Sequence, residues 1–227
     1  MKRLRIYLTV CAFILGIPTG SFAADPKVDA KTVAAYVQTF YDQTKSVAAS
    51  FYQTYYYKLY QRYERSKGEV LFVKPGKMLW NYAKPNGKKI LANSKSLQIF
   101  EPGEEGSAGQ LFEQDMKNAQ LPKAMSFLTG TSRLADDFHF RLLESASWKF
   151  NGYVLELRPQ KPDPNFDRIL FFVDADPSRR GVVHRVLIID HSGNRNKFEF
   201  SKLKFNKPVP TNTFAWKPPK GTRRIKP

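Results

Sequence analysis

Apolar positions along this chain change their spacing twice, and each change marks a different kind of element. From Ile6 to Ile17 they form a nearly continuous run behind Lys2, Arg3 and Arg5. From Asp29 to about Ala49 they thin to one face of a helix. Val33, Val37, Phe40 and Val47 recur there at three- and four-residue spacing, after an Asp29 able to cap. Beyond Ser50 the apolar positions alternate with the period of a strand. Six of the eleven tyrosines fall in the stretch from Ser50 through Arg62 and the adjoining Tyr63, interleaved with Gln53, Lys58 and Gln61. Tyrosine suits a pleated surface with one dry and one wet side, because its ring packs while its hydroxyl needs a partner.

Shorter strands are predicted at Lys89–Ala92 and Ser96–Glu101, parted by an Asn93-Ser94-Lys95 turn. Glycines at 103, 106 and 109 then open a different region, in which Leu111-Phe112 and Leu121–Leu128 read as short helices. The second has Pro122 in its first turn and Gly130 as its stop. Strand patterns resume at Phe138–Glu144, Tyr153–Arg158, Arg168–Asp174, Val182–Asp190 and Lys197–Phe205, with Asp176-Pro177 and Ser192-Gly193-Asn194 as turns. The sum is about ten strands joined mostly by short turns, which favours an antiparallel sheet. One long helix and a few short ones must cover one of its faces. The expectation is therefore an α+β, mostly β fold: an unclosed antiparallel barrel with helices over its mouth.

The densest pattern runs from Gly68 to Pro85, where two alternating runs flank Lys74-Pro75-Gly76-Lys77 and predict a β-hairpin. A loop of two residues would pair Lys74 with Lys77 and set Phe72 opposite Leu79. A loop of three would pair Lys74 with Met78, Phe72 with Trp80 and Val70 with Tyr82. The second register is preferred, because it collects Val70, Phe72, Met78, Trp80 and Tyr82 on one face and avoids two opposed lysines. Such an aromatic face serves either as plain core or as the wall of an apolar cavity. Lys74 either points inward, which demands a partner, or snorkels out at the tip.

The first residues carry a targeting signal. Pro18 and Gly20 break the apolar run, and Ser21-Phe22-Ala23 places small residues where a signal peptidase cuts. Residues 1–23 are read as a cleaved secretory signal peptide, too short to span a membrane, and 24–227 as a single exported domain. Cys11 lies inside the apolar run behind Val10, not after it, which argues against a lipidated N-terminus. Cleavage removes that only cysteine, so the domain must be held by its core without disulfides. It also removes three cations from a formal +17, leaving +14. The remaining cations are scattered, and export argues against nucleic acid as a partner; solubility and attraction to anionic membrane surfaces remain as readings.

Chemistry-bearing motifs are sparse. His139, His184 and His191 have no metal-ligand spacing, and neither a nucleophile elbow nor a phosphate-binding glycine loop occurs. Asp190-His191 is followed by Ser192-Gly193-Asn194 and reads as a turn. No catalytic residue, metal or cofactor is expected, and the chain is read as a non-enzyme.

Three segments together resemble the outer-membrane lipoprotein carrier protein family (LolA): Phe51-Tyr52-Gln53, the hairpin signature from Gly68 to Tyr82 with Pro85, and Phe214-Ala-Trp-Lys-Pro-Pro-Lys-Gly221. Ile189-Asp-His-Ser-Gly-Asn194 is similar to a further family hairpin. The resemblance implies an unclosed barrel of about eleven strands with a helical lid over a hydrophobic cavity. It implies a periplasmic shuttle, monomeric and non-enzymatic, that takes acylated lipoproteins from an inner-membrane ABC transporter to an outer-membrane receptor. Val37, Phe40, Val70, Phe72, Met78, Trp80, Tyr82, Leu97 and Ile99 become the candidate acyl-chain cavity, and Met125, Phe127 and Leu128 the candidate lid. Where many members carry an arginine that bonds lid carbonyls, this chain has Lys74, the candidate lid latch, without the arginine's planar fork. A carrier of other lipids on the same scaffold fits the sequence equally.

Overall fold

Asp29 caps a helix as expected: its Oδ1 accepts from the Thr32 amide at 2.7 Å, and bonding from Thr32 holds its carboxyl below the usual range. In the computed structural model, which describes residues 28–93, 95–104, 107–116 and 133–225, helix α1 spans Ala30–Gln43. It ends well before Ala49, because Thr44 turns extended and its hydroxyl donates to the Phe40 carbonyl at 2.7 Å. Val47 belongs to a strand, β1 (Ser46–Tyr57), which pairs with β2 (Arg62–Val73) on one side and β11 (Arg195–Phe205) on the other. Ala48 and Ala49 favour helix in isolation, but two neighbouring strands bond the backbone there, and pairing overrides propensity.

The other elements are β3 (Lys77–Tyr82), β4 (Lys89–Ala92), β5 (Ser96–Glu101), β6 (Gln110–Asp115), α2 (Leu134–Asp137), β7 (Phe138–Leu143), β8 (Tyr153–Pro159), β9 (Arg168–Val173), β10 (Val183–Ile189) and β12 (Arg223–Ile225). The twelve strands of the described residues form one sheet in the order β12-β6-β5-β4-β3-β2-β1-β11-β10-β9-β8-β7. Every pairing is antiparallel except that of β12 with β6. The outermost strands, β7 and β12, do not pair with each other, so the barrel stays unclosed.

Two further expectations need correction. Leu111 and Phe112 lie in β6, not in a helix: they pair with Phe100 and Ile99 of β5, and Leu111 is wholly buried. The hairpin adopts neither weighed register. Val73 pairs with Lys77, Phe72 with Met78, Val70 with Trp80 and Gly68 with Tyr82, leaving residues 74–76 as the loop. This register is offset from the preferred one by an even number of residues. The side-chain period is two, so Val70, Phe72, Met78, Trp80 and Tyr82 still share one face. The tyrosine-rich stretch is divided between β1 and β2, with residues 58–61 as the turn. The Leu121–Leu128 helix with its Gly130 stop, and with it Met125, Phe127 and Leu128, lies outside the described residues.

Helix α1 lies across the concave face at the β7–β8 end, with Val33, Val37 and Tyr41 buried beneath it. The Tyr41 hydroxyl accepts from the Val183 amide at 3.3 Å, and its burial pushes the phenol far above its usual range. Gly181, at φ +91°, lets the chain pass α1 so closely that an added Cβ would sit 2.3 Å from the Tyr36 carbonyl. The convex face is covered at both ends. Trp148 and Phe150 pack edge-on to Phe172, and Trp216 of the C-terminal segment packs at a tilt against Phe100 at 5.4 Å. Beside them Glu156, 3 % exposed, is ringed by arginines: Arg141 Nε at 3.0 Å, Arg158 Nε at 3.2 Å and Arg168 Nε at 3.6 Å. That burial is affordable for a carboxylate only with such partners.

Candidate functional site

Toward the other end, where α1 no longer covers it, the concave face holds a cavity of about 530 Å³. Its apolar wall comes from adjacent strands: Met78, Trp80 and Tyr82 of β3, Ile90 of β4, and Leu97 and Ile99 of β5. Cross-strand pairing of Trp80 with Ile90, and of Ile90 with Ile99, aligns these side chains in one row. Across the space stand Phe198 of β11 and Ile188 of β10. Gly68 is what permits this packing. An added Cβ would lie 2.2 Å from the Asn81 carbonyl and 2.8 Å from the Phe51 ring, so its absence lets Phe51 settle against Trp80 and Tyr82, each at 4.9 Å.

The candidate cavity residues thus fall into two groups. Met78, Trp80, Tyr82, Leu97 and Ile99 line the cavity. Val37, Phe40, Val70 and Phe72 do not border it; they belong to the core continuous with it. There α1 fills the concave side: Val37 is wholly buried, and Phe40 packs edge-on to Tyr41 and Phe205 at 5.1 and 4.9 Å. The hairpin face runs through both regions, core at its turn end and cavity wall farther along.

Lys74 points inward at that turn, not into solvent. Its Nζ donates to the carbonyl of Tyr41, and its amide donates to the Lys45 carbonyl at 2.9 Å. Tyr41 lies in the last turn of α1, where its carbonyl also accepts from the Thr44 amide at 3.1 Å and a cation is favoured. Desolvation lowers the Lys74 pKa, and nearby Asp42 partly offsets it. Lys74 therefore ties the β2–β3 turn to the end of α1. Its expected partner was a lid-loop carbonyl; the contact observed is helical.

Residues of the opposite rim escaped the sequence reading: Gln53, Tyr55 and Tyr57 of β1, Glu64 and Ser66 of β2, and Asn196, Phe198 and Ile188. The alternation Gln53, Tyr55, Tyr57 was the available signal, since one strand face carries them all. They make the mouth polar. Gln53 Nε2 donates to Asn196 Oδ1 at 2.8 Å, and the Tyr57 hydroxyl donates to Glu64 at 3.1 Å. Burial pushes the Tyr82 phenol up to about 12, and burial together with Glu64 raises Tyr57.

Such a lining offers apolar contact and a few hydroxyls and amides, a binding surface more than a reactive one. Among the described residues no group of three or more histidine, cysteine, aspartate or glutamate side chains is placed to hold a metal. The Asp190 carboxylate accepts from the Asn194 amide and side chain at 2.9 and 2.8 Å, as a turn residue does. The neighbouring His191 Nε2 lies 2.8 Å from the Asp163 carbonyl.

Comparison with known proteins agrees with this geometry. An outer-membrane lipoprotein carrier protein from Chromobacterium violaceum is 27% identical over 225 residues, covering 97% of both chains. One from Ralstonia nicotianae is 27% identical over 161 residues, 71% of this chain and 69% of the relative. The crystal structure of an uncharacterized conserved protein from Thermus thermophilus shares the fold, with a TM-score of 0.51 at 13% identity over 87% of this chain and 98% of that one. The family model for the outer membrane lipoprotein carrier protein LolA matches residues 42–217, and the chain belongs to that family of non-enzymatic carriers.

Proposed function

We propose that this protein is a periplasmic carrier that hides the acyl chains of lipoproteins in its cavity and ferries them from the inner to the outer membrane. It would receive them from an inner-membrane ABC transporter and surrender them to an outer-membrane receptor, after its residues 1–23 are removed on export. The observation that carries this reading is the cavity of about 530 Å³ walled by Met78, Trp80, Tyr82, Leu97 and Ile99. Its size falls in the roughly 300–1,000 Å³ range of ligand-holding cavities. Exposed acyl chains cost about 0.8 kcal/mol per methylene in water, so a lipid anchor needs cover while it crosses an aqueous space. A thioether and flat rings give that cover without demanding one chain shape, which suits a carrier that must also let go.

Native mass spectrometry of the protein recovered from its own periplasm tests the cargo. Acylated polypeptides in the complex support the reading, and free phospholipid or glycolipid alone would replace it with a carrier of other lipids. Depletion tests the route: lipoproteins should accumulate at the inner membrane, and normal sorting without the protein would refute it.

A further inference from the structure

We infer that the tip of the β1–β2 hairpin is a membrane-docking element that sets the cavity mouth against an anionic bilayer surface. The tip is a four-residue loop, since Tyr57 and Arg62 are the last pair of the two strands. Turn positions of this kind ordinarily take glycine, proline, asparagine or aspartate. Here they carry Leu59 and Tyr60, which are 82 % and 74 % exposed. Tyr63, just behind them, is 55 % exposed. At the apex, Leu59 and Tyr60 therefore hold most of their apolar surface in water instead of in the core.

The tip is nonetheless held firmly. The Lys58 amide donates to Asn194 Oδ1 of the adjacent β10–β11 turn at 2.9 Å, and the Tyr56 and Tyr63 rings pack at 4.7 Å. Cations surround the apolar side chains. Between Tyr56 and Lys67 the chain carries Lys58, Arg62, Arg65 and Lys67 against one carboxylate, Glu64, which Arg62 and Tyr57 already engage. Arg62 lies over the Tyr57 ring at 5.2 Å and Arg65 over Tyr63 at 5.6 Å.

Leucine and tyrosine at the apex behind a collar of lysine and arginine is the composition that partitions into a headgroup layer of negative charge. The placement has a consequence. Tyr57 and Glu64, one step back from the tip, line the cavity mouth. A docked tip would bring that mouth to the acyl region, whatever the cargo.

The test is flotation of residues 24–227 with vesicles of phosphatidylethanolamine and phosphatidylglycerol, which contain no lipoprotein and so do not depend on the cargo reading. The protein should float with them, weakly with phosphatidylcholine vesicles, and less as salt rises. Leu59→Ser with Tyr60→Ser should reduce binding by about tenfold or more without changing thermal stability. Lys58→Gln and Arg65→Gln should each cost about fivefold. Because residues 24–227 lack cysteine, Leu59→Cys can carry an environment-sensitive dye whose emission should shift to the blue on vesicle addition. Undiminished flotation of the serine double variant, or an unshifted dye, would overturn the inference. So would a chain that ignores anionic vesicles but forms a dimer that the serine variant abolishes, which would assign the tip to a second copy.

Discussion

The Lys74 ammonium donates to the backbone carbonyl of Tyr41, joining the β2–β3 turn to the final turn of helix α1. Two elements far apart in sequence meet there, at the border between the helix-filled part of the barrel and the open cavity. The contact answers what an inward lysine at the hairpin turn is for: it gives the Tyr41 carbonyl, which already accepts from the Thr44 amide, a second and charged donor at the helix C-terminus.

Lys74→Leu should therefore loosen α1 at its C-terminus and lower stability by about 1 kcal/mol, while Lys74→Arg should retain most of it. Amide exchange reports this directly, because the Thr44 amide donates to the same Tyr41 carbonyl at 3.1 Å. Faster exchange at Thr44 in Lys74→Leu is the expected result. Unchanged exchange together with unchanged uptake of an apolar probe would show that the contact holds nothing shut.

Gly68→Ala should be costly although Gly68 lies in a strand, where alanine is ordinarily no worse. The new methyl would meet the Asn81 carbonyl at 2.2 Å and the Phe51 ring at 2.8 Å, and backbone cannot step aside as a flexible side chain does. A loss of about 1–3 kcal/mol in denaturant unfolding is expected, with altered tryptophan emission as Phe51 is displaced from Trp80. A neutral outcome would mean that Phe51 does not depend on the missing Cβ.

The hairpin shows how far the sequence could be read. Alternation of Val70, Phe72, Met78, Trp80 and Tyr82 placed them on one face, and that survived an error in register because an even slip preserves the face. Alternation says nothing of what lies above a face. That Val70 and Phe72 belong to the closed core while Trp80 and Tyr82 border open space depends on what packs above the sheet, which alternation does not record. Leu111 and Phe112 misled for a related reason: a short apolar pair has no period, and only its pairing with β5 makes it a strand. The rim residues Asn196 and Ile188 come from strands distant in sequence, and only the sheet order brings them to β1.

Glu156→Gln should destabilise the β7–β9 end. The carboxylate is buried and gathers Arg141, Arg158 and Arg168, whose charges would then face one another, balanced among the described residues by Asp167 beside Arg158 and Arg168. The arginines are partly solvated, which limits the loss to about 1–3 kcal/mol. Added salt should recover part of it by screening the arginines. A loss untouched by salt would assign the cost to packing instead.

Alkaline titration should reveal the buried phenols. The Tyr82 pKa is raised by burial from 10.0 to about 12, and Tyr41 is raised further. A neutral group with a raised folded pKa keeps its full contribution below the unfolded value. It loses that contribution as pH climbs, because the unfolded chain ionises first. Stability should thus be flat to about pH 10 and fall from there toward pH 12, and Tyr82→Phe should make the fall shallower. Denaturant midpoints across that window provide the measurement, and an identical slope in the variant would place the Tyr82 hydroxyl in water.

Filling the cavity separates binding from folding. Ile99 pairs with Ile90 on the cavity wall and is only partly buried, so Ile99→Trp has open space to enter where a core substitution would not. Overpacking costs about 1–3 kcal/mol in a closed core; here the indole should occupy solvent-filled volume and leave the unfolding midpoint nearly unchanged. Affinity for an apolar fluorescent probe, or for a lipoprotein acyl anchor, should fall about tenfold, because a bound chain and the indole would need the same volume. Phe72→Leu, behind the wall and 2 % exposed, is the converse control, expected to lower stability with little change in binding. If Ile99→Trp bound the probe as well as the native chain does, the ligand would have to lie elsewhere than between β3, β5 and β11.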